Sequence, residues 1–208
     1  STYKVNANAV SAQPNKGAKL ELASIQGNIA YAETNASSTA GIDGAGTIVT
    51  GALSAKATGT AKATADIQGV NLSITGVSLA INVVTAVVSG TQKAIVKDAN
   101  VTASSVTVQS DFNTGSSTSN YAATATVGSN SGASVGLVGG DTSSAKASVT
   151  AKVSSEILGA VLTSVTGAVS VLTNAKSYAL AEIHTPSSVS LVNVSVMLVE
   201  ADAAGTFT

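Results

Sequence analysis

Few side chains in this sequence could carry chemistry. His184 is the single histidine among 208 residues, so a serine–histidine–aspartate triad would have to be built on it. It sits in Glu182-Ile183-His184-Thr185-Pro186, and a surface position at a turn before Pro186 is the expected reading. No HxH or HExxH spacing surrounds it, so zinc is unsupported. The eleven acidic residues are dispersed. Asp66 and Glu156 form the pair most worth following, because each closes a lysine-bearing stretch and paired carboxylates can hydrolyse glycosides. The plainer role, solvating a sheet face, is the expected one. Asp43-Gly44 and Gly140-Asp141 place carboxylates at turn-like positions, and calcium wants about six to eight oxygens. Neither stretch has an EF-hand loop or a Gly-Gly-x-Gly-x-Asp nonapeptide. Calcium there is the one cofactor the residues leave open, and no catalytic, cofactor-binding or metal-binding residue is assigned.

The elements that would position these groups are built from unusual material. Hydrophobic residues make up 44% but aromatics only 3%, so the apolar mass is alanine and valine, suited to a thin interior. Charged residues are 10%, well below the roughly 25% of an average globular protein. Net charge is −1, arginine is absent and the lysines are scattered, which argues against nucleic acid as a partner. Without cysteine there is no disulfide, thiolate–zinc site or thiol nucleophile, and the lack is compatible with export. Ser1-Thr2-Tyr3-Lys4 is not followed by an apolar signal region, so the chain reads as mature or excised from something longer. The most apolar stretch, Ile157 to Leu172, is too short for a membrane span of roughly 20 residues.

Alternation is the clearest local signal. From Ser54 to Asp66, Ser, Lys, Thr and Asp at even positions alternate with Ala and Gly at odd ones, which is a strand with one wet and one dry face. A bend or bulge is expected near Gly59. Val77, Leu79, Ile81 and Val83 alternate with Ser78, Ala80 and Asn82 in the same manner, and Val189, Leu191, Val194 and Val196 repeat that texture. Helix competes over Ile157–Leu172 and Ile67–Ile81, against the preference of β-branched residues for strands. Polar and glycine-rich clusters predict loops at Asn35–Gly46, Phe112–Asn120, Gly128–Ser134 and Gly139–Ser143.

The chain also echoes itself. Ser54-Ala55-Lys56-Ala57 returns 90 positions later as Ser144-Ala145-Lys146-Ala147, Tyr31-Ala32 as Tyr121-Ala122, and Asp66 as Glu156. A fixed period points to one unit stacked on copies of itself. The units expected are residues 5–94, residues 95–184, and residues 185–208 as a partial third copy or tail, which suggests part of a larger array. If copies stack, Lys56, Lys62 and Asp66 lie over Lys146, Lys152 and Glu156. The fold class expected is all-β, an elongated β-solenoid of ninety-residue units, with β-sandwich repeats as the alternative.

Val77-Ser78-Leu79-Ala80-Ile81-Asn82-Val83-Val84, Lys93-Ala94-Ile95 and Asn100-Val101-Thr102-Ala103-Ser104-Ser105-Val106-Thr107-Val108 resemble repeats of giant bacterial surface adhesins of the leukotoxin and filamentous-haemagglutinin types. The resemblance is one of texture and extends through both copies. It implies secretion, a long β-helical rod at the cell surface and attachment to hosts or other cells, and it hands over no site residues. The function expected is a structural rod or stalk segment without catalysis. Its partners would be neighbouring repeats or copies of itself, with host proteins or glycans met by loops or by other parts of the molecule. The alternative is a self-assembling extracellular filament subunit that uses strand pairing or donor-strand exchange.

Overall fold

A computed structural model describes residues 2–10, 21–68, 73–115, 122–128, 134–184 and 189–208. Among the described residues it is all-β, with no helix. β1 (Thr2–Val10) is followed by β2 (Glu21–Asn35), β3 (Ser38–Asp43) and β4 (Thr47–Gln68). A second pass comprises β5 (Ser73–Ser89), β6 (Thr91–Lys97), β7 (Asn100–Phe112) and β8 (Ala123–Val127). The third runs through β9 (Ser134–Val149), β10 (Lys152–Leu158), β11 (Val161–Val165), β12 (Val169–Ala175) and β13 (Ala179–Ile183), and β14 (Val189–Ala203) and β15 (Thr206–Phe207) follow.

Three sheets result, and every strand pairing in them is parallel. The long sheet is ordered β14-β9-β5-β2 and the short sheet β15-β10-β6-β3. The seven-stranded split sheet is centred on β4, which pairs with β7 through Thr47–Gly59 and with β8 through Ala63–Ile67. The 22-residue β4 is unbroken at Gly59, where a bend was expected, and instead changes partner there. A Cβ at Gly59 would strike the side-chain amide of Gln92, so a larger residue at that crossing would require Gln92 to move.

The ninety-residue echo is not the stacking distance. Glu21 pairs with Thr75, 54 positions on, and Val77 with Val138, 61 on. The remaining registers fall between 53, for Thr47 with Asn100, and 63, for Val169 with Val106. The expected elongated β-solenoid of ninety-residue units is therefore corrected: the parallel sheets curl as a half-barrel. β-sandwich repeats fail as well, because sandwich sheets are antiparallel. The physical reason is compositional. Rows of Ala and Val alternate with rows of Ser, Thr and Lys in many strands, so similar stretches recur whether or not they are neighbours.

Two narrow cores hold the sheets together. One packs Ala30, Ala32, Val84, Ala86, Val88, Ala145 and Ala147 of the long sheet against Ala61, Ala63, Ala65, Ile67 and Val127 of the split sheet. The other packs Ala94 and Val96 of the short sheet against Ala55, Ala57, Val101, Val106 and Val108. The predicted alternation over Ser54–Asp66 places its alanines in these cores as expected. Buried polar groups lie between the two. Asn113, with φ 54°, donates its side-chain amide to the Ala61 carbonyl and accepts from the Ala61 N–H, so both backbone groups of Ala61 are satisfied at the partner change.

Two predicted loops are strands. Ser38–Asp43, inside the Asn35–Gly46 cluster, is β3, and Gly139–Ser143 lies within β9. Glycine serves close approach there: a Cβ at Gly41 would strike the backbone carbonyl of Ile95. The Phe112–Asn120 and Gly128–Ser134 clusters fall largely outside the described residues. Ile157–Leu172 is not a helix: it takes in the end of β10, all of β11 and the start of β12 with short irregular joints between them, and no helix of the described residues is long and apolar enough to cross a membrane.

Candidate functional site

The carboxylates singled out by the sequence do not converge. Asp66 lies in the split sheet, in one column with Thr126 and Glu182, while Glu156 lies in the short sheet beside Ile95. Asp66 accepts a hydrogen bond from the Gln68 amide. Glu156 pairs with Lys93 at 3.0 Å. Lys56 and Lys62 do not lie over Lys146 and Lys152. Lys56 stacks on Gln109, and Lys146 lies between Thr85 and Glu200. Asp43 and Asp141 also fall in different sheets, Asp43 pairing with Lys97 at 3.3 Å. Among the described residues no group of three His, Cys, Asp or Glu could hold a metal ion. His184 is exposed, with Nε2 3.7 Å from Glu182 Oε2, and its N–H donates to the Val127 carbonyl. This is a local contact at a strand end.

Two polar constellations emerge that the sequence did not single out. The first surrounds Asp111, which lies in register between Thr58 and Asn174. The Gln109 amide donates to its two oxygens at 2.9 and 3.0 Å, Asn174 Nδ2 donates to Oδ1 at 2.9 Å, and Lys56 Nζ lies 3.1 Å from Oδ2. Burial pushes this carboxyl up, but the bonds from Asn174, Gln109 and Lys56 and the lysine charge outweigh it. The group is held below its ordinary 3.8.

The second is a ladder across three strands of the long sheet. Asn28, Asn82 and Ser143 share one column. Asn28 Nδ2 donates to Asn82 Oδ1 at 2.9 Å, Asn82 Nδ2 to Ser143 Oγ at 3.3 Å, and Ser143 Oγ to Asp141 Oδ1 at 3.0 Å. Asn82, Ser143 and Asp141 are buried, and Asp141 Oδ2 has no hydrogen-bond partner. Burial raises the Asp141 carboxyl above its ordinary value, and the bonds from Ser143 and Asn82 only partly oppose that. The signal available in the sequence was Asn82 itself, a polar amide inside an apolar alternation.

The ladder inverts the expected faces. Ser78, Ala80 and Asn82 point inward and are buried, while Val77 and Ile81 face solvent. The outer side of this half of the long sheet is largely apolar, with Ile25 and Ile29 on β2, Val77 and Ile81 on β5, and Val194 and Leu198 on β14 all exposed, and β9 interrupts it with Gly140, Thr142 and Ser144. Exposed apolar patches of this kind mark contact surfaces more than active sites.

Nothing in this arrangement resembles a nucleophile with its base or a pair of carboxylates across a cleft. The hydrogen bonds and ion pairs above join neighbours on the same strand or on an adjacent one. No family model, curated protein or solved structure matches the chain.

Proposed function

We propose that the chain is a structural, non-catalytic segment of a secreted or surface-displayed bacterial adhesin. The observation that carries this reading is the exposed apolar surface on the outer side of the long sheet, with Ile25 and Ile29 on β2, Ile81 on β5 and Val194 and Leu198 on β14. That face offers area for contact and few polar groups to orient a small substrate, Thr142 and Ser144 of β9 among them. The stacking of Ala- and Val-lined strands supports the reading too, since each strand covers the dry row of the one before it. In this role the chain needs no cofactor. Its nearest partners are copies or continuations of the same kind of strand, and host proteins or glycans are bound elsewhere in the molecule.

An antibody raised against the folded chain tests the placement. It should label intact cells of the producing organism; labelling that appears only after lysis rejects the surface assignment. Polysaccharide turnover that disappears in Asp66→Asn or Glu156→Gln would replace the structural role with an enzymatic one.

A further inference from the structure

The two ends of the long sheet differ in what they leave uncovered. At the β14 end the inward rows are open. Val169, Val171, Met197, Val199 and Phe207 continue the columns of Val106, Val108, Ser143, Ala145 and Val153. The earlier five are 1% exposed or less, and the later five are 44–52% exposed. What the earlier residues have and the later ones lack is one more parallel strand beside them. At the opposite end, β2 pairs with β5 alone among the described residues. β2 and β14 are each 15 residues long.

We propose that the β14 edge of one copy pairs in parallel with the β2 edge of a second copy, column for column, and that Glu33 and Asp202 gate this contact. Extending the existing columns by one strand brings Ala32 beside Ala201, Ala30 beside Val199, Ile29 beside Leu198 and Ile25 beside Val194. These are small or apolar neighbours of the kind that already stack inside the molecule. One column is different. Glu33, Val87, Ser148 and Asp202 are successive members of it, so the second copy's Glu33 falls directly beside Asp202, roughly 4.8 Å away. Like charges directly opposite each other in a sheet are destabilising, and charges on edge strands are a common guard against edge pairing. Few neighbours offset the repulsion. Glu33 accepts a hydrogen bond from the Tyr31 hydroxyl at 2.6 Å, Val87 and Ser148 are uncharged, and Lys146 is already engaged by Glu200 at 2.9 Å. The copies therefore stay apart while both carboxylates are charged and join head to tail when either charge is removed. This inference stands on the edge strands alone and holds whether or not the chain works at a cell surface.

Sedimentation of the full chain tests it. The wild type should be monomeric at pH 7 and associate at pH 4. Glu33→Lys should associate at pH 7 at about tenfold lower concentration than the wild type, because repulsion becomes attraction. Glu33→Lys combined with Asp202→Lys should restore repulsion and remain monomeric at both pH values, with its strand circular dichroism retained. The chain has no cysteine, so a mixture of Ile29→Cys and Leu198→Cys proteins should form an intermolecular disulfide at pH 4 once an oxidant is added. The proposal is overturned if Glu33→Lys sediments like the wild type at pH 7, if the wild type associates equally at both pH values, or if the double variant associates at pH 4 as readily as the wild type. It is likewise overturned if Leu198→Cys alone bridges faster than the mixture, since β14 would then be meeting its own kind.

Discussion

The two halves of the long sheet are made by the same strands and are built inside out relative to each other. In the C-terminal half, Ala30, Ala32, Val84, Ala86, Val88, Ala145 and Ala147 face inward, and Tyr31, Glu33, Thr85, Lys146, Glu200 and Asp202 face out. In the N-terminal half, Asn28, Ser78, Asn82, Asp141 and Ser143 face inward, and Ile25, Ile29, Val77, Ile81, Val194 and Leu198 face out. Period two is unbroken through both halves, so only the polarity changes. An inward polar row is tolerated where its members find partners, and the ladder supplies them to Asn28, Asn82, Ser143 and Asp141 Oδ1 across three neighbouring strands, leaving Ser78 Oγ and Asp141 Oδ2 without one. The lesson is that alternation locates a strand but does not say which of its faces is the dry one.

The sharpest way to break the comparison is to give the apolar half what the polar half holds. Val84→Asp places a carboxylate among alanines and valines with no ladder to receive it. The expected result is loss of the cooperative urea transition at pH 7, since an unpaired buried charge costs several kcal/mol. Asn82→Ala comes next. It removes the central rung and leaves Asn28 and Ser143 without their partner, for an expected loss of about 1–3 kcal/mol in urea unfolding.

Asp141→Asn should act in the opposite direction. The folded carboxyl titrates above the unfolded value of 3.8, so the unfolded chain gives up its proton first as pH rises. Stability therefore falls as pH climbs from 3.8 through the raised folded value and stays lowered beyond it. Asn removes that charge, and the variant should melt about 2–4 °C higher than the wild type at pH 7. The difference should shrink towards zero below pH 3.8. Asp111, held low by Asn174, Gln109 and Lys56, has the reverse sign. Its contribution is present above 3.8 and is lost as pH falls through its lowered value, and Asp111→Asn should abolish that acid-side loss. The smallest effect is expected at Ile81→Ser on the outer face, within about 0.5 kcal/mol of the wild type, which would confirm that this face holds none of the monomer's core.

Much of the fold could be read from the sequence where polarity and period agree. Ala55, Ala57, Ala61, Ala63 and Ala65 are the dry row of a strand, as their spacing implies, and no helix displaces the β-branched stretches. The misreadings share a cause. Gly41 and Gly140 looked like turn residues, yet each lies in a strand where a neighbour comes close: a Cβ at Gly41 would strike the Ile95 carbonyl, and one at Gly140 would stand 3.0 Å from Leu79 Cδ1. A glycine chosen for crowding and a glycine chosen for a turn cannot be told apart in one sequence. The long sheet's polarity was hidden because the burial of Asn82 depends on Asn28 and Ser143, 54 and 61 positions away. The Lys56–Asp111–Asn174 cluster was equally out of reach, since its members meet only through the register of three strands.

That register can be measured directly in a chain that has no cysteine of its own. Thr85→Cys with Lys146→Cys joins two residues that face each other on adjacent strands, 61 positions apart, at a separation disulfides accept. Lys56→Cys with Lys146→Cys joins the two that echo each other in sequence at 90 positions but lie in different sheets. Parallel stacking at the shorter spacing predicts rapid intramolecular bridging of the first pair under mild oxidation and none of the second. Bridging of Cys pairs at 56 and 146, with those at 85 and 146 left reduced, would contradict the fold on which every assignment here depends.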